Sequence, residues 1–256
     1  MTPRYSMAGR TALISGASSG IGAHLARLFG TAGAKVILGA RRTDMTEDLT
    51  DEIKASGGTA LAVPMDVTDE DSVVAAFDKA EKEFGIVDTI IANAGVAAGG
   101  RSTDIPLKYV RRVVDTNFTG VYLTAREGAK RLIASGSREK ENGRIVIIGS
   151  ITSLLHGEGD SAYAALKAGV AHLGRNMARE WVRQGINVNT VHPGYIDTEI
   201  NSDWYETDGG KEQIATFNRR RLTDLEALSD PVLFLSSDAS KMVTGSEIIV
   251  DDGQWL

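Results

Sequence analysis

The sequence predicts an α/β fold, a doubly wound sheet of about seven parallel strands with helices on both faces. Three observations carry that expectation. Short apolar, β-branched runs recur along the whole chain. Segments with the 3.6-residue period of amphipathic helices lie between them. No repeat, low-complexity tract or linker breaks the alternation, so the 256 residues read as one domain, 1–256. Strands that alternate with helices need crossover connections, and crossovers build parallel sheets covered on both faces.

The predicted strands are Thr11–Ser15, Lys35–Leu38, Thr59–Pro64, Thr89–Ala92, Arg144–Ile148, Asn187–Val191 and Glu247–Val250. Helix periodicity covers Ile21–Thr31, Ser72–Phe84, Tyr109–Ile133 and Ala162–Arg183. One segment departs from this rhythm. Glu199–Thr223 is polar, carries Trp204, Tyr205 and Phe217, and connects a strand to a helix. A connection of that length in a compact fold reads as a substrate loop or lid, or as surface filler.

Composition excludes several classes of function. Hydrophobic residues make up 42% and charged residues 24%, which is ordinary for a soluble globular chain. The net charge of −6 disfavours a nucleic-acid partner or an anionic membrane surface. There are no cysteines, so disulfides and thiolate chemistry are excluded. No apolar run approaches the roughly 20 residues that span a bilayer, and Met1–Arg10 lacks the apolar core of a signal peptide. The chain is expected in the cytoplasm. No His, Asp or Glu cluster has metal-ligand spacing.

Gly16-Ala17-Ser18-Ser19-Gly20-Ile21-Gly22 follows the first strand and opens the first helix. Glycines let a backbone turn tightly against a pyrophosphate, and a helix N-terminus supplies free N–H groups. A plain turn is the alternative, but the strand before and the helix after favour a nucleotide. The second strand ends in Ala40-Arg41-Arg42. NAD sites usually place an acid there, on the ribose 2′-hydroxyl; arginines suit a 2′-phosphate. NADP(H) is therefore expected over NAD(H), with solvated arginines as the alternative and Asp44 as a complication. Asp66-Val67 follows the third strand, where Asp66 could hydrogen-bond an adenine amino group. Asn93-Ala94-Gly95 ends the fourth, at the edge where open parallel sheets bind ligands.

Tyr163 and Lys167 share a helix face at the i, i+4 spacing, and Ser150 lies thirteen residues earlier. A phenol titrates near a pKa of about 10, too high for acid–base work at neutrality. A neighbouring ammonium is expected to lower that value and make the tyrosine a general acid/base.

Together these motifs resemble the short-chain dehydrogenase/reductase family in its single-domain, Rossmann-like form. The resemblance runs from Gly16 to Gly253. It takes in the glycine turn, Asn93-Ala94-Gly95, Asn117, Ser150, Tyr163-x-x-x-Lys167, Pro193-Gly194 and Val250-Asp251-Asp252-Gly253. Departures are small: Ser15 for a usual threonine, Ala92 for an asparagine, and Asp252 for a glycine. The resemblance implies that Tyr163 exchanges a proton with the substrate oxygen and that Ser150 orients that oxygen. It implies that Lys167 tunes Tyr163 and binds the nicotinamide ribose, while Asn117 holds a proton-relay water. Asn93 and Gly95 would line the cofactor site. Pro193-Gly194 would begin the nicotinamide loop, with Ile196 and Thr198 on the carboxamide. Thr198 as a helix cap and Asn117 as a helix cross-link are the alternatives.

The implied activity is NADP(H)-dependent interconversion of a ketone and a secondary alcohol, as a carbonyl reductase or alcohol dehydrogenase. Val96, Ala97, Leu154, Leu155, Trp204 and Phe217 suggest a hydrophobic or aromatic small molecule, with His156 and Tyr195 as further pocket candidates. A 3-oxoacyl-carrier-protein reductase is the runner-up. It would need basic docking residues, and the corresponding positions hold Glu141 and Gln184, beside Lys140 and Arg183. A non-catalytic NADP-binding sensor or scaffold is a remote third, because the full catalytic set is present. The resemblance also implies a homotetramer built on the two long helices and the last strand.

Overall fold

The strands form where apolar β-branched runs can be buried on both faces. They are β1 (Thr11–Ser15), β2 (Lys35–Ala40), β3 (Thr59–Pro64), β4 (Thr89–Ala92), β5 (Gly143–Ile148), β6 (Ile186–Pro193) and β7 (Glu247–Val250). In this computed structural model, which describes residues 5–199 and 201–256, they make one parallel sheet in the order β3-β2-β1-β4-β5-β6-β7. Part of the leader-sequence reading (residues 1–4) and Ile200 of the expected lid lie outside the described residues.

The helices are α1 (Gly20–Thr31), α2 (Thr43–Ala55), α3 (Glu70–Phe84), α4 (Leu107–Val114), α5 (Gly120–Ala134), α6 (Ser137–Lys140), α7 (Ser161–Trp181), α8 (Ser202–Tyr205), α9 (Asp208–Thr216) and α10 (Ser229–Ser236). They divide between the two faces because strand side chains alternate. Ala12 and Ile14 of β1 meet Leu25 and Phe29 of α1 and Val232 of α10. Leu13, between them, faces Phe77 of α3, Val121 of α5 and Val170 of α7. Among the described residues, no helix is long and apolar enough to cross a membrane.

Three differences from the sequence reading have physical causes. Helix α2 was not anticipated because two of its four buried positions are threonines, Thr46 and Thr50, which mask the apolar stripe of Leu49 and Ile53. The expected helix Tyr109–Ile133 is two helices joined by a π turn at Asp115–Thr119. The segment after β6 is not irregular: it holds α8 and α9, the second capped by Thr207, whose Oγ1 accepts from Gly210 N at 3.1 Å.

The chain reverses from β1 to β4 at the centre of the sheet. Helices therefore leave in opposite directions there, and a crevice opens at the carboxyl ends of those two strands. The opposite edge is tied by Arg10. Its guanidinium donates to Asp88 Oδ1 at 3.2 Å, Thr89 Oγ1 at 3.1 Å and the Asn142 carbonyl at 3.1 Å, and pairs with Asp238. Arg10 and Asp88 are both largely shielded from water, and burial pushes the Asp88 carboxyl up. Arg10→Met should cost about 3 kcal/mol in urea unfolding, because it strands a buried carboxylate. Adding Asp88→Asn should recover part of that loss.

Candidate functional site

A cleft of ≈ 1170 Å³ follows the carboxyl edge of the sheet. Gly16, Ser18, Ser19, Gly20, Ile21 and Gly22 form one wall. Helix α1 begins there with no side-chain cap on its N-terminus and no acid in its first turn. Its positive end and free N–H groups are open to an anion. Gly22 is demanded by packing, since a Cβ would stand 2.2 Å from the Gly16 carbonyl oxygen. These features fit the pyrophosphate of a dinucleotide.

Asn93, Ala94 and Gly95 line the same floor. The Asn93 amide donates to the carbonyls of Ser15 at 2.9 Å and Gly16 at 3.3 Å, so it braces the glycine turn. Ser15 keeps the job of the usual threonine: its hydroxyl takes the N–H groups of Asn93 (3.1 Å) and Ala94 (3.2 Å).

Arg41, Arg42, Asp66 and Val67 line the far end. Arg41 is exposed at the tip of β2. Arg42 donates to Ser18 Oγ at 3.1 Å and Ser19 Oγ at 2.7 Å, and forks onto Glu199 at 2.6 and 3.0 Å. Burial works to raise the Asp66 pKa, but hydrogen bonds from Thr68 and the nearby Arg41 charge outweigh it, and the value falls.

Pro193, Gly194, Ile196 and Thr198 line the opposite wall. Thr198 caps no helix; its N–H and hydroxyl both donate to Asn201 Oδ1, at 2.9 and 3.0 Å.

Three of the four expected catalytic side chains, Ser150, Tyr163 and Lys167, converge on the cleft. Ser150, at the end of β5, lies 2.9 Å from Thr152 Oγ1 and accepts from Thr152 N at 3.2 Å. Its own proton is free to point into the cleft. Tyr163 and Lys167 come from successive turns of α7. Lys167 is buried and its Nζ donates to the Ile148 carbonyl at 2.8 Å, 5.7 Å from the Tyr163 ring centre.

This geometry corrects the expected electrostatics. Tyr163 is pushed up to about 12, not down. Burial is the main cause; contact with Ser150 offsets part of it, and the nearby Tyr195 and Asp160 add to the rise. Lys167 falls to about 8, because burial disfavours its charge. In this arrangement burial governs both groups.

Asn117 is outside the cleft lining. It is fully buried in the π turn behind the cleft wall. Its Oδ1 accepts from Val96 N at 2.8 Å and its Nδ2 donates to Val96 O at 2.9 Å. The amide cross-links the turn to the β4 loop.

The substrate end differs from the sequence reading too. Val96, Ala97, Tyr195 and Trp204 line the cleft. Phe217 instead supports Tyr195 by stacking, with ring centres 5.3 Å apart. Leu154, Leu155 and His156 are outside the lining, carried off by the short turn Ile151–Ser153. Tyr205 of the expected loop also enters it, and Gln213 and Asp160 enter it unannounced. Asp160 occupies the N-cap position of α7 without capping it, and one carboxylate oxygen is buried with no partner among the described residues.

Sequence reasoning also missed His192. It is fully buried, and its Nδ1 sits 2.9 Å from the Ser150 carbonyl and 3.2 Å from its N–H. Its Nε2 meets Glu247 at 3.0 Å. Gly149 is shaped to this ring, since a Cβ there would lie 2.6 Å from Nδ1. The signal was a histidine just before Pro193-Gly194, a polar residue in a strand buried at every position.

Among the described residues no group of side chains could hold a metal ion. The low Lys167 value has a measurable consequence. Between about pH 8 and the ordinary lysine range the unfolded chain binds more protons, so stability rises with pH there. Below that window the cost of the buried charge is fully present. Lys167→Met should therefore gain stability relative to wild type at pH 7 and lose that gain by about pH 10.5, a swing of about 3 kcal/mol in urea unfolding at the two pH values.

Known proteins share this architecture. Residues 16–254 match the family model described as enoyl-(acyl carrier protein) reductase. The chain is 37% identical over 249 residues to cis-4-hydroxycyclohexanecarboxylate dehydrogenase of Sinomonas cyclohexanicum, covering 95% of this chain and 96% of the relative. It is 34% identical over 252 residues to L-rhamnose 1-dehydrogenase (NAD(P)(+)) of Azotobacter vinelandii, covering 96% and 97%. The crystal structure of a short-chain type dehydrogenase/reductase from Mycobacterium marinum superposes with a TM-score of 0.91 at 35% identity, covering 97% of this chain and 96% of the other.

Proposed function

This chain belongs to the short-chain dehydrogenase/reductase family, whose relatives here oxidise or reduce CH–OH and C=O groups, and from that premise we propose that it interconverts a cyclic ketone and its secondary alcohol with NADP(H). The observation that carries this reading is the convergence of Ser150, Tyr163 and Lys167 on one cleft with an uncapped helix N-terminus. A nicotinamide cofactor, when bound, supplies or accepts the hydride. The glycine turn and the α1 N-terminus would hold its pyrophosphate, and Lys167 its nicotinamide ribose.

Ser150 holds the substrate oxygen through its free proton. Tyr163 gives its phenolic proton to that oxygen in reduction and takes it back in oxidation. A phenol held above its ordinary pKa stays protonated at neutral pH, so the proton that reduction consumes is in place. Ribose hydroxyls brought against Lys167 would give its ammonium new acceptors and support the phenolate that reduction leaves behind.

The relatives named above act on a hydroxycyclohexane carboxylate and on a sugar. The pocket supports a related substrate. Tyr195, Trp204 and Tyr205 offer flat apolar faces, while Asp160 and Gln213 offer polar atoms among them. A cyclic alcohol with a second polar group suits that mixture better than a purely apolar aromatic ketone. The carrier-protein reading is disfavoured because Glu141 and Gln184 stand where basic docking residues would be needed.

Tyr163→Phe tests the chemistry. It should lower kcat by about 10²–10⁴-fold, the usual weight of a general acid, and leave cofactor binding by fluorescence titration unchanged; persisting turnover would remove Tyr163 as the proton donor. His192→Ala should loosen Ser150 and lower kcat by up to about 10²-fold, as a misplaced group can. Cofactor affinity in that variant should hold, and His192→Gln should restore part of the rate.

A further inference from the structure

We infer that Glu199 is a specificity-determining residue that competes with the cofactor's 2′-phosphate for Arg42. The inference rests on the dinucleotide reading of the cleft and deepens it at the ribose end.

The tip of β2 is where a Rossmann-type site reads the adenosine ribose. An acid there accepts from a 2′-hydroxyl, and an arginine there pairs with a 2′-phosphate. Here the tip itself carries Ala40, followed by Arg41 and Arg42. The missing carboxylate arrives from the other side of the cleft. Glu199, in the segment after β6, takes the Arg42 fork with both oxygens, at 2.6 and 3.0 Å. The same guanidinium reaches Ser18 Oγ at 3.1 Å and Ser19 Oγ at 2.7 Å. One side chain thus ties the β2 tip, the glycine turn and the β6 loop together, and all four residues line the cleft.

Two chemical consequences follow. A phosphate uses an arginine best through two parallel N–H donors, and Glu199 already occupies two of Arg42's. A phosphate brought to the same fork also meets a like charge at close range. A 2′-hydroxyl meets neither obstacle. Glu199 therefore penalises the phosphorylated cofactor selectively and leaves Arg41, exposed and near Asp66, as the other cation at this tip. The pair is about half exposed on both sides, so it is a restraint that a ligand can displace, not a block.

The test uses ligands that carry only the adenosine end. Binding of adenosine 2′,5′-bisphosphate and of 5′-AMP would be measured by calorimetry on wild type and Glu199→Gln, with KM for NADPH and NADH alongside. Glu199→Gln should tighten the bisphosphate by about threefold to fivefold, the scale of an exposed ion pair, and leave 5′-AMP unchanged. The NADPH-to-NADH preference should rise by the same factor. An unchanged ratio, or equal shifts for both ligands, would overturn the role of Glu199 whichever cofactor wild type prefers. A wild-type preference for NADH would overturn the NADP(H) reading alone; a ratio that still rises in the variant would uphold Glu199. Thermal melting of the variant verifies that it is folded, which its exposed position predicts.

Discussion

The cleft depends on one side chain amide. Asn93, leaving the end of β4, donates to the carbonyls of Ser15 and Gly16 where β1 ends. Those carbonyls lie at the switch point of the sheet, past the last ladder bond between the two strands. Unpaired there, they would favour water and a looser turn. The amide satisfies them and sets the glycine turn against the floor. It follows that α1 starts where it does, with its free N–H groups facing the groove. Asn93 reads as a ligand-binding residue in sequence; in space it builds the surface on which a ligand would rest.

At the reacting end the governing term is desolvation. Burial raises the phenol of Tyr163 and lowers the ammonium of Lys167. Each shift favours the uncharged form. The i, i+4 spacing brings the two residues to one face, but the Lys167 Nζ is anchored on the Ile148 carbonyl. Their coupling thus depends on what fills the cleft. Behind them, His192 joins the Ser150 backbone to Glu247, which in turn pairs with Arg175 on α7. Serine and tyrosine are accordingly carried by elements linked through one buried ring, a rigid mounting for a site that tolerates little displacement.

The two ends of the cleft obey different rules. The phosphate end is made of backbone and small side chains, which any dinucleotide needs. The other end, where the proposed substrate would sit, is lined by Tyr195, Trp204, Tyr205, Gln213 and Asp160, delivered largely by the segment after β6. That segment also delivers Glu199 to Arg42. It therefore touches both ends, and it is the part of the chain with the least regular pattern.

What the sequence by itself determined were the local and periodic features. β-Branched runs located seven strands to within a few residues, because burial on both faces leaves a continuous apolar signature. Ser150, Tyr163, Lys167 and the glycine turn were legible because their chemistry depends on fixed spacing along one or two elements. Helix α2 escaped because threonines stand at its buried positions, and the π turn because it changes the register of a helix without breaking its period. Only the tertiary structure decided the rest. Arg42 and Glu199 are 157 positions apart, His192 and Ser150 are 42 apart, and no local pattern couples them. The direction of the Tyr163 shift was also a tertiary matter, since spacing reports which groups are neighbours while burial decides which charge they can keep.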